Sequence, residues 1–124
     1  MKSSLPKPTS DESARIERMK SEIGCICCRL LRLTSTTPLE VHHLLIGNKR
    51  AGHWFTICLC WMHHQGRSIS GLWTSIAQGS KAFTRMHGSQ WDLWLKTQHL
   101  LNLNDELPIS KLVARRLPGS KSFG

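Results

Sequence analysis

Two ligand pairs, Cys25-x-x-Cys28 and Cys60-x-x-His63, constrain this chain more than any other feature. A two-residue spacer lets both side chains of a pair reach one tetrahedral ion from a tight knuckle. Two such knuckles together make a Cys3His structural zinc site. A staple of this kind suits the chain, whose 124 residues allow one domain with a small hydrophobic core. Five cysteines cannot all pair as disulfides. The N-terminus through Glu22 has no apolar stretch of the kind found in a secretory signal. A reducing compartment, the cytoplasm, is therefore expected, with thiols free or metal-bound. Cys27 reads as a small core residue. Cys58, two positions before Cys60 and on the same face of a strand, is a candidate substitute ligand.

The flanking pattern predicts an α+β domain. Thr9 and Glu12 fit a capping box at a helix start. Ile16, Met19 and Ile23 then share one face, Arg15, Arg18 and Lys20 turn to water, and Gly24 stops the helix. Leu39 to Leu45 reads as a strand, residues 46–52 as a turn, His53 to Leu59 as a second strand, and Trp61 onward as a helix. Residues 66–88 hold four glycines and are expected to form a long loop with one short helical turn. Ser89 and Asp92 suggest a second capping box, opening a helix to Leu103 that buries Trp91, Trp94, Leu95 and Leu101. The expected organisation is a flexible lead-in over 1–9, a domain over 10–107 with its ligand-rich core at 24–67, and a disordered basic tail over 108–124. No apolar run approaches the roughly 18 residues of a membrane span, so no membrane partner is expected.

Charge points to the partner. The chain has 17 Lys and Arg against 8 Asp and Glu, a net +9, which favours a polyanion and above all nucleic acid. Residues 24–88 carry seven of the bases and a single acid, Glu40, so the positive charge lies among the ligands. Lys49 and Arg50, between the two strands, are candidate phosphate contacts, as are Arg29 and Arg32; each can equally be a solvated surface charge. Trp54 and Trp61 can stack on bases, although Trp beside a metal knuckle is more often core.

A second constellation is the His42-His43 pair with His53 and His64. Neighbours on a strand point to opposite sides. Phosphodiester hydrolysis can use that arrangement, one imidazole holding a cation against the phosphate while the other activates water. His64 is turned by about 100° from His63 on a helix and can serve a separate ion. The plainer alternative is four surface histidines. Glu40 either orients a ligand histidine or is an exposed strand residue.

The runs Gly24-Cys-Ile-Cys-Cys28, Glu40-Val-His-His-Leu-Leu45, Gly52-His-Trp-Phe-Thr56 and Leu59-Cys-Trp-Met-His-His-Gln-Gly66 are similar to those of the phage recombination-enhancement (Ref-like) HNH nucleases, which depend on RecA. The likeness continues through Ala77-Gln-Gly-Ser-Lys-Ala-Phe83 and His87-Gly-Ser89, covering roughly residues 20–103. The resemblance implies a ββα-metal (His-Me finger) domain with metal-dependent cleavage of DNA. No base-reading element is evident in the sequence, so little sequence specificity is expected. The resemblance also implies His43 as general base and His42 and His64 as ligands of a catalytic Mg2+ or Mn2+. His53 is implied as a further ligand of that ion or as the residue that orients His43. A RecA filament is the implied partner. The second knuckle ends in His63, where many HNH enzymes have cysteine.

Two readings compete with a nuclease. A non-catalytic zinc-ribbon module that binds nucleic acid accounts for Cys25, Cys28, Cys60, His63 and the charge, but leaves His42, His43 and His64 unused. A zinc-stabilised protein-interaction adaptor accounts for still less.

Overall fold

The computed structural model describes residues 5–67 and 71–103. The expected tail over 108–124 therefore lies outside the described residues. Helix α1 spans Ser10–Arg18, and Met19–Ile23 continues it as a wider π turn. The capping box at its start is complete: Thr9 Oγ1 accepts from the Glu12 N–H, and the Glu12 carboxylate accepts from the Thr9 N–H. Gly24 ends the run at φ 75°, a conformation that suits glycine.

Helix α2 covers Ile26–Leu31, strand β1 Leu39–His43 and strand β4 Thr56–Cys60. β1 and β4 pair antiparallel, with His42 opposite Ile57 and His43 opposite Thr56. Between them, residues 46–52 are not only a turn. β2 (Leu45–Ile46) and β3 (Lys49–Arg50) form a small second hairpin. Gly47 and Asn48, both at positive φ, make the two-residue connection whose twist matches paired strands. The second main strand accordingly starts at Thr56 rather than His53. Helix α3 (Trp61–Gln65) follows β4 directly.

β4 is the centre of the molecule, buried along its whole length. Alternation divides its side chains. Ile57 and Leu59 join Ile26, Cys27, Leu44, Phe55, Phe83, Leu93 and Trp94 in the main core, whereas Cys58 packs with Met19 and Leu101. Residues 66–88 contain more structure than expected. Two 3-10 turns, Gly71–Trp73 and Ile76–Gln78, precede a full helix α4 (Ser80–His87), which Phe83 anchors in the core. Helix α5 (Gln90–Leu100) starts at the Ser89 cap, whose hydroxyl accepts from the Asp92 N–H. Its buried face is Leu93, Trp94, Thr97 and Gln98, and Leu95 is exposed, contrary to the expected stripe. Arg15 is the other correction: it is buried rather than turned to water. No described helix is long and apolar enough to cross a membrane.

Candidate active site

Cys25, Cys28, Cys60 and His63 converge on one point. Cys25 caps α2, Cys28 lies one turn into it, Cys60 ends β4 and His63 is on α3. Their ligand atoms all lie within 4.8 Å of one another, and all four residues are buried. Zn–S bonds of about 2.3 Å and Zn–N bonds of about 2.0–2.1 Å at tetrahedral angles put sulfur about 3.8 Å from sulfur and about 3.6 Å from nitrogen. The observed Cys28–Cys60 separation is 3.9 Å, and His63 Nδ1 lies 3.5, 3.6 and 3.3 Å from Cys25, Cys28 and Cys60. The donor set fits one tetrahedral metal such as zinc.

The surroundings support that fit. His63 Nε2–H donates to the Leu72 carbonyl at 2.8 Å, which leaves the Nδ1 lone pair aimed at the sulfurs. Trp73 stacks on the His63 ring at 4.9 Å, and His87 meets it edge-on at 5.0 Å. A hydrogen bond from Cys27 holds the Cys25 thiol well below the usual range, against the opposing effect of burial, and His63 adds to it. Cys27 is thus a buried core residue that also supports a ligand. Cys58 is buried elsewhere, against Met19 and Leu101, and is not in the four-residue group.

The four candidate histidines of the second constellation form two pairs. His42 Nδ1 faces His64 Nε2 at 3.2 Å. The far nitrogen of each ring is occupied: His64 Nδ1 meets Glu40 Oε1 at 2.6 Å, and His42 Nε2 meets Gln90 Oε1 at 2.9 Å. With both far nitrogens donating N–H to these oxygens, both facing nitrogens carry lone pairs. Two lone pairs facing at that distance need a proton or a cation between them. Two imidazole nitrogens on one ion at about 2.0–2.1 Å sit about 2.9–3.4 Å apart for angles between 90° and tetrahedral. The 3.2 Å gap fits a shared cation. The His64 contact, then the Gln65 amide at 2.6 Å, holds the Glu40 carboxyl below its ordinary range.

His43 takes the second pair, with its Nε2 3.0 Å from His53 Nδ1. His53 is therefore beside His43 and not in the His42–His64 pair. Burial first, then the charges of His53, Arg50 and His42, push His43 down to about 4. Arg50 and Lys49 are exposed on β3, and Arg50 is near enough to act on His43 electrostatically. Arg29 and Arg32 are exposed at the end of α2, and Arg29 donates to the Glu22 carbonyl at 3.0 Å. Trp54 is partly buried against the core, and its carbonyl accepts from Trp94 Nε1, while Trp61 is exposed.

Gln90 is the site residue that the sequence did not reveal. It reads as an ordinary first-turn residue of α5, and its partner lies 48 positions away. Its only local signal is the Ser89 cap, which fixes where α5 begins.

Fold and cluster together define a small α+β domain stapled by a metal-type Cys3His group, with paired histidines and a basic surface. A family model described as recombination enhancement, RecA-dependent nuclease, matches residues 8–102, and the chain belongs to that family. No curated protein matches the chain.

Proposed function

We propose that this family member is a metal-dependent DNA endonuclease of the HNH type, with residues 10–107 as its catalytic domain and the ββα-metal unit over 24–67. The observation that carries this reading is the His42–His64 pair. Two imidazole nitrogens, His42 on the strand that also bears His43 and His64 on α3, face each other at 3.2 Å with Gln90 and Glu40 behind them.

In this reading Cys25, Cys28, Cys60 and His63 hold structural zinc, and His42 and His64 hold the catalytic divalent ion, Mg2+ or Mn2+. When bound, that ion supplies positive charge against the phosphate and the leaving oxygen. His43 takes a proton from the attacking water, and burial keeps its imidazole neutral and competent to do so. His53 orients His43 rather than ligating the ion, because its Nδ1 is spent on His43. Arg50 and Lys49 on the exposed hairpin, with Arg29 and Arg32, neutralise backbone phosphates. Phosphate contacts carry no sequence information, in keeping with weak sequence preference. The substrate in this reading is DNA held by a RecA filament in the bacterial or phage-infected cytoplasm; the family description supports the RecA dependence.

The test is His43→Ala, assayed on plasmid and on RecA-coated strands paired to duplex, with and without magnesium. Cleavage should fall about 10²–10⁴-fold while folding and DNA binding persist. Near-normal turnover by this variant removes the assignment. A wild-type protein that binds DNA and never cuts it, under any divalent ion, points instead to the zinc-ribbon reading.

A further inference from the structure

His53 Nε2 lies 2.6 Å from the backbone carbonyl of Pro6. That carbonyl can only accept, so Nε2 carries the proton. A neutral imidazole has a single N–H, which leaves His53 Nδ1 as an acceptor. His43 Nε2, 3.0 Å from it, must then donate. The order of donors and acceptors from Pro6 to His53 to His43 is thus fixed, and it leaves the lone pair of His43 on Nδ1.

The segment bearing Pro6 is built to hold that carbonyl still. Leu5-Pro6-Lys7-Pro8-Thr9 leads into the capping box of α1. Proline fixes φ at about −65° at two of these positions. The residue before a proline is confined to extended backbone, which restrains Lys7 as well. Thr9 is tied on both sides to Glu12, so the strap is anchored at its C-terminal end. At the other partner, the Thr56 hydroxyl donates to the His53 carbonyl at 3.1 Å and holds the turn that carries His53. Pro6 precedes the family-matched residues 8–102, so its carbonyl lies outside that match, although the Pro8–Thr9 end of the strap lies within it.

We infer that the Pro6 carbonyl is a positioning group for the base: through His53 it sets the tautomer of His43 and presents Nδ1, rather than Nε2, to the attacking water. This rests on the reading of His43 as the base. The Pro6 carbonyl acts on the reaction through His53, so it should change turnover rather than binding.

The experiment uses zinc-loaded protein with 15N-labelled histidine at pH 8, where long-range nitrogen–proton spectra report which ring nitrogen is protonated. In the intact chain His43 should appear as the Nε2–H form. Removing residues 1–7 should redistribute His43 between its two tautomers and lower kcat about 10–100-fold, the usual cost of losing a partner that orients a functional histidine. KM should hold. Pro6→Gly with Pro8→Gly, which loosens the strap and keeps the carbonyl, should give a smaller loss of the same sign and keeps the test open if the truncated chain fails to fold. In a His53→Ala background removal of residues 1–7 should cost nothing further, because the link is already cut. An unchanged His43 tautomer and unchanged kcat after loosening or removing the strap overturn the inference. So does a full additional loss in the His53→Ala background. Failure of the base reading looks different: His43→Ala then cleaves normally, whatever the spectra show.

Discussion

Arg15 donates from Nη1 to the Thr56 hydroxyl at 2.9 Å and from Nη2 to the Thr56 carbonyl at 3.2 Å, with both side chains buried. Its Nε donates to Gln98 Oε1 at 2.8 Å. Among the described residues the ion pairs are Arg18–Glu22 and His64–Glu40, so no carboxylate balances Arg15. Burial lowers its pKa to about 10, which still leaves the guanidinium charged at neutral pH. A buried cation satisfied only by neutral groups, here three oxygens and the Met19 sulfur at 3.4 Å, is costly unless its geometry is good in every bond. Here the bonds tie α1, β4 and α5 together, and Thr56 passes the restraint on to His53.

Arg15→Met should therefore destabilise the domain although it removes a desolvated charge. It orphans the Gln98 amide oxygen and the Thr56 carbonyl, at about 1–3 kcal/mol for each buried group left unpaired. Arg15→Lys should recover little, since an ammonium cannot make the forked contacts. Thermal denaturation checks this. A melting temperature unchanged in Arg15→Met refutes the structural role.

The Cys3His group predicts coupling of metal to folding. Purified protein should hold one tightly bound zinc in this group, and strong chelators should unfold the domain, since binding energy at such a site is folding energy. Cys25→Ser and Cys60→Ser should each lose the metal and the cooperative melt. Metal analysis beside circular dichroism decides it: a Cys60→Ser protein with full zinc content and native stability means that the ligand set is different.

How much of this was readable in the sequence depends on the range of the interaction. The knuckles, the Thr9–Glu12 box and the β1–β4–α3 order were legible because ligand spacing, capping and alternation are local. Helix α4 was not, because Ser80–His87 lies between Gly79 and Gly88 and has one fully buried anchor, Phe83, with Met86 exposed. Its apolar pattern is too sparse to show a helical period. The small hairpin was hidden because Gly47 and Asn48 look like breakers, and in this register they serve as its two-residue turn. Arg15 and Gln90 could not be placed at all. Their partners are 41, 83 and 48 positions away, and only the folded chain brings them together.

Acid should affect cleavage late. His43 is pushed down to about 4 by burial and by His53, Arg50 and His42, from an ordinary imidazole value near 6.5. The neutral form needed by a base therefore persists well below pH 6, and a cation at His42 and His64 pushes the same way. The sign for stability agrees. The unfolded chain binds the proton more readily between about pH 4 and 6.5, so this histidine's contribution is present above that window and is lost as pH falls through it. At saturating metal, kcat/KM should stay level through pH 6 and decline nearer the lowered value. A decline centred on 6.5 contradicts the buried, cation-flanked setting.

Gln90 should control affinity for the ion at His42 and His64 without touching it. Its Oε1 accepts from His42 Nε2 at 2.9 Å and so keeps the Nδ1 lone pair facing His64. Glu40 does the same for His64 at 2.6 Å, with a full negative charge. Losing such a supporting partner typically weakens metal binding about 10–100-fold. Gln90→Leu frees His42 to adopt the other tautomer, with Nδ1–H donating to His64 and closing the gap to a cation. Gln90→Glu keeps an acceptor, adds charge, and should bind the ion at least as tightly as the parent. Calorimetric titration of Mn2+ into the zinc-loaded protein measures this apart from turnover. Parent-like affinity in both Gln90→Leu and Gln90→Glu would show that the 2.9 Å contact does not set the ligand tautomer. Loss in both would show instead that Gln90 serves through its amide N–H, with the His42 proton already on Nδ1.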